Sequence, residues 1–185
     1  MSKSRVIDRD LGWKKFREQM RGLSNAHVTV GLHADAKPYE QGQGEAATVA
    51  QVASFHEFGD GVPQRSFMRP TVDGNQEKYA SMLQREAGLI IDGKLSVHDA
   101  LALLGEVVAV DIKRAITDMT DPPLAESTIA AKKAKAAYLG EKKAQAYADS
   151  GANPLIDTGH MRHSVTYKTT VLGKTEGPED VAGGE

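Results

Sequence analysis

The sequence predicts an α+β fold, a small antiparallel sheet with helices packed on one side, from three observations. Residues 26–32 and 163–172 alternate apolar and polar side chains with the two-residue period of a half-buried strand. Residues 97–119 carry apolar side chains at helical steps over about six turns. Glycine and proline punctuate the chain between such segments.

Along the chain, residues 8–23 place Trp13, Phe16, Met20 and Leu23 at steps of three and four, with Lys14, Lys15, Arg17 and Arg21 elsewhere. That is an amphipathic helix. Its basic side is read as a solvated face, with an acidic partner or DNA as the alternative. In the first strand Ala26, Val28, Val30 and Leu32 share one side and His27, Thr29 and Gly31 the other. Residues 34–45 are polar and hold one proline and two glycines, which predicts a mobile loop. Residues 46–58 form a short helix ended by Gly59, the residue type suited to a left-handed C-terminal cap.

An extended segment then runs to Pro70, whose missing N–H suits the first turn of a helix. That helix is expected over 70–91, with Val72, Tyr79, Leu83, Ala87 and Ile90 as its stripe and Gly93 as its break. Ser96 and Asp99 make a capping signal for the strongest helix, whose stripe is Val97, Leu101, Leu104, Val108, Ile112, Ala115 and Met119. Pro122 and Pro123 close it. Residues 126–149, rich in alanine and lysine, predict a protruding or partner-dependent helix weakened at Gly140. A turn over 154–159, a further turn at 160–162 and the second strand follow, with Val165, Tyr167, Thr169 and Val171 on one side. One α+β domain over 1–172 and an acidic, glycine-rich tail over 173–185 complete the expected organisation.

Two blocks carry a resemblance. The first is His56-Glu57-Phe58-Gly59 followed by Val62-Pro63-Gln64-Arg65-Ser66-Phe67-Met68-Arg69-Pro70. The second runs from Pro123-Leu124-Ala125-Glu126-Ser127-Thr128-Ile129, with Lys132 or Lys133 after it, to Asn153-Pro154-Leu155-Ile156-Asp157-Thr158-Gly159-His160-Met161-Arg162-His163-Ser164-Val165. Together they resemble the tail-completion and neck proteins of tailed bacteriophages, the virion morphogenesis or minor tail group. The family's arm reads I-P-A-R-P-F-L-R-P, so this chain departs from it at Gln64 and Ser66.

The resemblance implies a structural, non-enzymatic virion protein, assembled in the host cytoplasm and placed at the head–tail junction. Its partners would be further copies in a ring, expected as a hexamer, other neck proteins and the tail terminator or tail tube, with incidental contact to genomic DNA. Interface chemistry would fall to Phe67 and Met68 as apolar anchors, with packing of the arm against its own sheet as the alternative for these two and for Arg65 and Arg69. Arg65 and Arg69 would be forked donors across the subunit boundary. Gly59, Asp157, Thr158 and Gly159 would serve as turn and cap residues.

With 23 Lys and Arg against 25 Asp and Glu, the net charge of −2 advertises no global attraction to nucleic acid. Cysteine is absent, which removes disulfides, thiol catalysis and cysteine-ligated zinc. No membrane partner is expected, because no apolar run approaches bilayer length. The form Leu155-Ile156-Asp157-Thr158-Gly159 also matches aspartic proteases, which need two facing carboxylates sharing a proton. The competing assignment has Asp157 and Thr158 capping a short helix at His160. His160 and His163 could share a helix face with His56 or Glu57 as zinc ligands, but no motif ties them together, and neither metal nor cofactor is expected.

Overall fold

The computed structural model describes residues 12–36, 47–137, 153–157 and 159–178. Among them the order is α1 (Trp13–Leu23), β1 (His27–Leu32), α2 (Val49–Phe58), α3 (Arg69–Gly74), α4 (Gln76–Ile91), α5 (Val97–Asp118), α6 (Glu126–Ala137), α7 (His160–His163), β2 (Val165–Val171) and β3 (Lys174–Glu176). The three strands form one antiparallel sheet in the order β1-β2-β3. The fold is α+β, as the alternating and helical periods predict. Residues 8–11, most of the polar loop at 34–45, residues 138–149 of the alanine-rich helix, Thr158 and residues 179–185 of the tail lie outside the described residues.

Helix α5 is the spine. The Ser96 hydroxyl accepts from the Asp99 N–H at 3.0 Å, as the capping signal requires. Its buried face is Val97, Ala100, Leu104, Gly105, Val108, Ala109, Ile112 and Ile116, which lies against β1 and β2. Gly105 sets how closely helix and sheet approach. A Cβ there would stand 2.7 Å from Tyr167 Cγ and 2.8 Å from Val28 Cγ2. Leu101, Ala115 and Met119 of the expected stripe are only half buried, while Gly105, Ala109 and Ile116 complete the interface.

Three expectations change. The helix expected over 70–91 is two helices, interrupted at Asn75, whose backbone (φ −113°, ψ 11°) leaves the helical region. The Asn75 side chain donates to the Thr71 carbonyl at 2.8 Å, a local bond that competes with the helical ladder. The boundary expected at 172–173 falls inside a hairpin. Leu172 and Gly173 both take positive φ, 53° and 79°, a two-residue turn that brings Lys174–Glu176 back onto β2. Neighbouring strand edges thus supply bonds that the composition of this stretch does not announce. Ahead of β2, residues 160–163 are helical, so the second strand begins at Val165 rather than 163.

Candidate interaction site

The arm between α2 and α3 is built from its first residue outward. Thr48 and Gln51 form a reciprocal capping box that starts α2. Gly59 ends it in the left-handed region (φ 76°), its N–H donating to the Phe55 carbonyl at 2.8 Å. A side chain at Gly59 would stand 2.9 Å from Gln64 Cβ, so glycine serves both the turn and the close return of the chain. The returning strand is tied to α2 by the Arg65 N–H donating to the His56 carbonyl at 2.7 Å and by Gln64 Nε2 donating to the Glu57 carbonyl at 3.2 Å.

Glu57 then clamps the arm. Its buried carboxylate accepts four hydrogen bonds, from the Ser66 hydroxyl (2.6 Å) and from the N–H groups of Phe67 (2.8 Å), Met68 (3.0 Å) and Arg69 (3.0 Å). The Met68 and Arg69 N–H groups are orphan donors at the start of α3, and a carboxylate there also meets the favourable end of the helix dipole. Burial pushes the Glu57 carboxyl up, but the N–H groups of Met68, Arg69 and Phe67 and the Ser66 hydroxyl more than offset it. The group is held below the ordinary glutamate value.

The expected anchors divide. Phe67 is 1% exposed and belongs to the main core. Arg65 is buried as well, its Nε donating to the Pro122 carbonyl at 2.8 Å and a terminal nitrogen to Pro123 at 3.2 Å. Both side chains are therefore spent inside the chain, because carbonyls near the end of α5 lie within reach of the guanidinium. Met68 is half buried, and Arg69 is exposed with its guanidinium 6.0 Å from the centre of the Phe58 ring. Phe58 itself is 64% exposed. A groove of about 480 Å³ opens here, lined by Val28 and Val30 of β1, Phe58, Met68, Val72 and the flank of α5. It adjoins β1, whose second edge carries no strand among the described residues.

The second block is a clasp. Asn153 Nδ2 donates to the Ile116 and Thr117 carbonyls at 3.1 and 2.7 Å, closing the C-terminus of α5, while its Oδ1 accepts from the N–H groups of Leu155 and Ile156. Lys132 donates to the carbonyls of Asn153 (2.9 Å) and Ile156 (2.5 Å), which joins α6 to the same turn. Asn153 lies in the second motif block, but its role as a clasp does not follow from that block. The position of an Asn-Pro pair between two helical segments was the available signal.

The N-cap position of α7 is Gly159 (φ 78°), directly after Thr158, which lies outside the described residues. Asp157 is exposed, unlike the enclosed paired carboxylates of an aspartic protease. His163 Nδ1 lies 2.7 Å from the Gly159 carbonyl, and Glu57 is committed to the arm. Among the described residues no group of three or more His, Cys, Asp or Glu is placed to hold a metal ion, and no helix is long and apolar enough to cross a membrane. Comparison with protein-family models, with curated proteins and with solved structures found no match.

Proposed function

We propose that this chain is a structural protein of a tailed-phage particle, joining head to tail as one copy in a closed ring. Neck proteins and the tail terminator or tube would be its neighbours, the assembly would sit at the head–tail junction of the virion, and genomic DNA would be touched only in passing. One observation carries the reading beyond the motif resemblance. Glu57 at the end of α2 and Arg65 in the arm are consumed by the chain's own backbone. What they hold rigid is an outward pair, Phe58 and Arg69, beside an apolar groove. Such a preformed surface favours binding, since little ordering entropy remains to be lost on contact. A ring further requires that this surface meet a different one on the next copy, which a groove and a projecting aromatic pair allow.

The test is complementation of a phage lacking this protein. Phe58→Ala and Arg69→Ala, singly and together, are expected to leave the melting temperature of the isolated chain unchanged while heads and tails accumulate unjoined. Phe67→Ala is the contrast, because emptying a buried aromatic site costs about 3–5 kcal/mol and unfolds the chain itself. Normal infectious titre from the double variant would overturn the reading.

A further inference from the structure

Helix α1 is turned the wrong way for an ordinary amphipathic helix. Its C-terminal half is pinned through Gly22, which is buried and where a Cβ would touch Val171 Cγ1 at 3.6 Å and Val97 Cγ2 at 3.7 Å. Its N-terminal half is held by Lys15 Nζ donating to the Gly93 carbonyl at 3.3 Å. This leaves the apolar stripe largely outside. Trp13 is 65% exposed, Met20 43% and Leu23 40%, and Ile91 at the end of α4, 60% exposed, lines one cleft with Trp13 and Phe16. The Trp13 and Phe16 rings stack with centroids 5.6 Å apart. Between α1 and residues 91–93 lies an open cleft of about 550 Å³.

The charges bear on which kind of partner fits this face. On α1 the exposed Arg17 and Arg21 stand against a single anion, Glu18. At about 3.6 residues per turn, Arg17 and Arg21 fall beside the Trp13–Met20 line, on the side away from the buried Gly22. The carboxylate in the cleft lining, Asp92, is already paired with Lys94 at 2.9 Å. A second copy of α1 would bring like charges together. A phosphate backbone would leave Trp13, Met20 and Ile91 in water, and a recess between two elements suits inserted side chains better than a planar bilayer.

We infer that α1 and Ile91 form a docking surface for an acidic amphipathic helix of a partner protein. The partner's apolar seam lies on Trp13, Met20 and Ile91, and its carboxylates meet Arg17 and Arg21. Contiguous exposed apolar surface rimmed by charge is the usual mark of such a contact. The surface is separate from the arm and does not depend on the reading given for it.

Trp13 is the single tryptophan of the chain, so its emission reports this face alone. The full chain would be titrated with a synthetic helical peptide bearing leucines along one seam and glutamates on its flanks. Controls are the same peptide with lysines in place of the glutamates, and phosphatidylcholine vesicles containing phosphatidylserine. The acidic peptide is expected to shift emission to the blue, with an affinity that falls as salt is added. Arg17→Glu with Arg21→Glu should weaken binding by about tenfold or more, and Met20→Ser should weaken it in a chain whose circular dichroism is unchanged. Arg69→Ala should bind as the parent does. Equal binding of the lysine peptide, no shift with the acidic one, or a shift produced by vesicles and not by the peptide would each overturn the inference.

Discussion

Glu57 and Glu86 are both buried carboxyl groups, and their surroundings give them opposite effects on stability. Glu57 accepts four hydrogen bonds and is held below the ordinary value, so its ionised form favours the folded state. That stabilisation is complete above the ordinary glutamate value and is lost as pH falls through the depressed one. Glu57→Gln turns an amide donor toward N–H donors and is expected to cost about 2–4 kcal/mol at neutral pH. Denaturant titrations of parent and variant should converge as the medium is made acidic. Glu86 is 2% exposed, neither oxygen has a hydrogen-bond partner among the described residues, and burial pushes its carboxyl up. Here the sign reverses: the unfolded chain releases the proton more readily, so stability falls as pH rises from the ordinary glutamate value toward the raised one. Glu86→Met, similar in volume, should therefore stabilise the chain by about 1–3 kcal/mol at neutral pH, with the gain shrinking in acid. Melting curves at two pH values decide it.

At the scale of elements, α5 and the sheet are held at a distance set by the absence of a side chain. Alanine is the better helix former by about 1 kcal/mol, yet at Gly105 its Cβ would stand 2.7 Å from Tyr167 Cγ and 2.8 Å from Tyr167 Cβ. Overpacking of this kind costs about 1–3 kcal/mol. Gly105→Ala is thus expected to lower the melting temperature despite its propensity, and a rise would mean that Tyr167 and Val28 move aside freely. The long helix was legible because its determinants are local: a Ser-x-x-Asp cap and an apolar period of three and four. The break at Asn75 and the hairpin at Leu172 and Gly173 were not. Each depends on a particular side-chain or backbone bond, Asn75 to the Thr71 carbonyl and β3 to β2, that no hydrophobic period encodes.

For the whole molecule, the motif blocks converge on the C-terminal end of α5. Arg65 reaches the Pro122 and Pro123 carbonyls just beyond it, Asn153 closes its last carbonyls, and Lys132 fastens α6 to the Asn153 turn. The conspicuous polar residues thus hold elements together, while apolar side chains stand exposed: Phe58 with Val72 beside the arm, Trp13 with Met20 on α1, and Ile91 at the end of α4. A chain in which charged motif residues satisfy backbone groups and aromatic side chains stand in water is suited to assembly, because burying that apolar area is what association gains.

The sequence by itself determined the α+β class, the two longer strands, the cap at Gly59, the Ser96 start of α5 and the presence of an arm leading into Pro70, since period, cap and turn residues act over a few positions. Only the tertiary structure decided which arm residues turn inward. Arg65 and Phe67 are buried and Arg69 is left outside because the groups that claim them lie elsewhere: carbonyls 57 and 58 residues along the chain for Arg65, and a core assembled from α2, α5 and β2 for Phe67. Such pairings are made by packing, and spacing along the chain does not encode them.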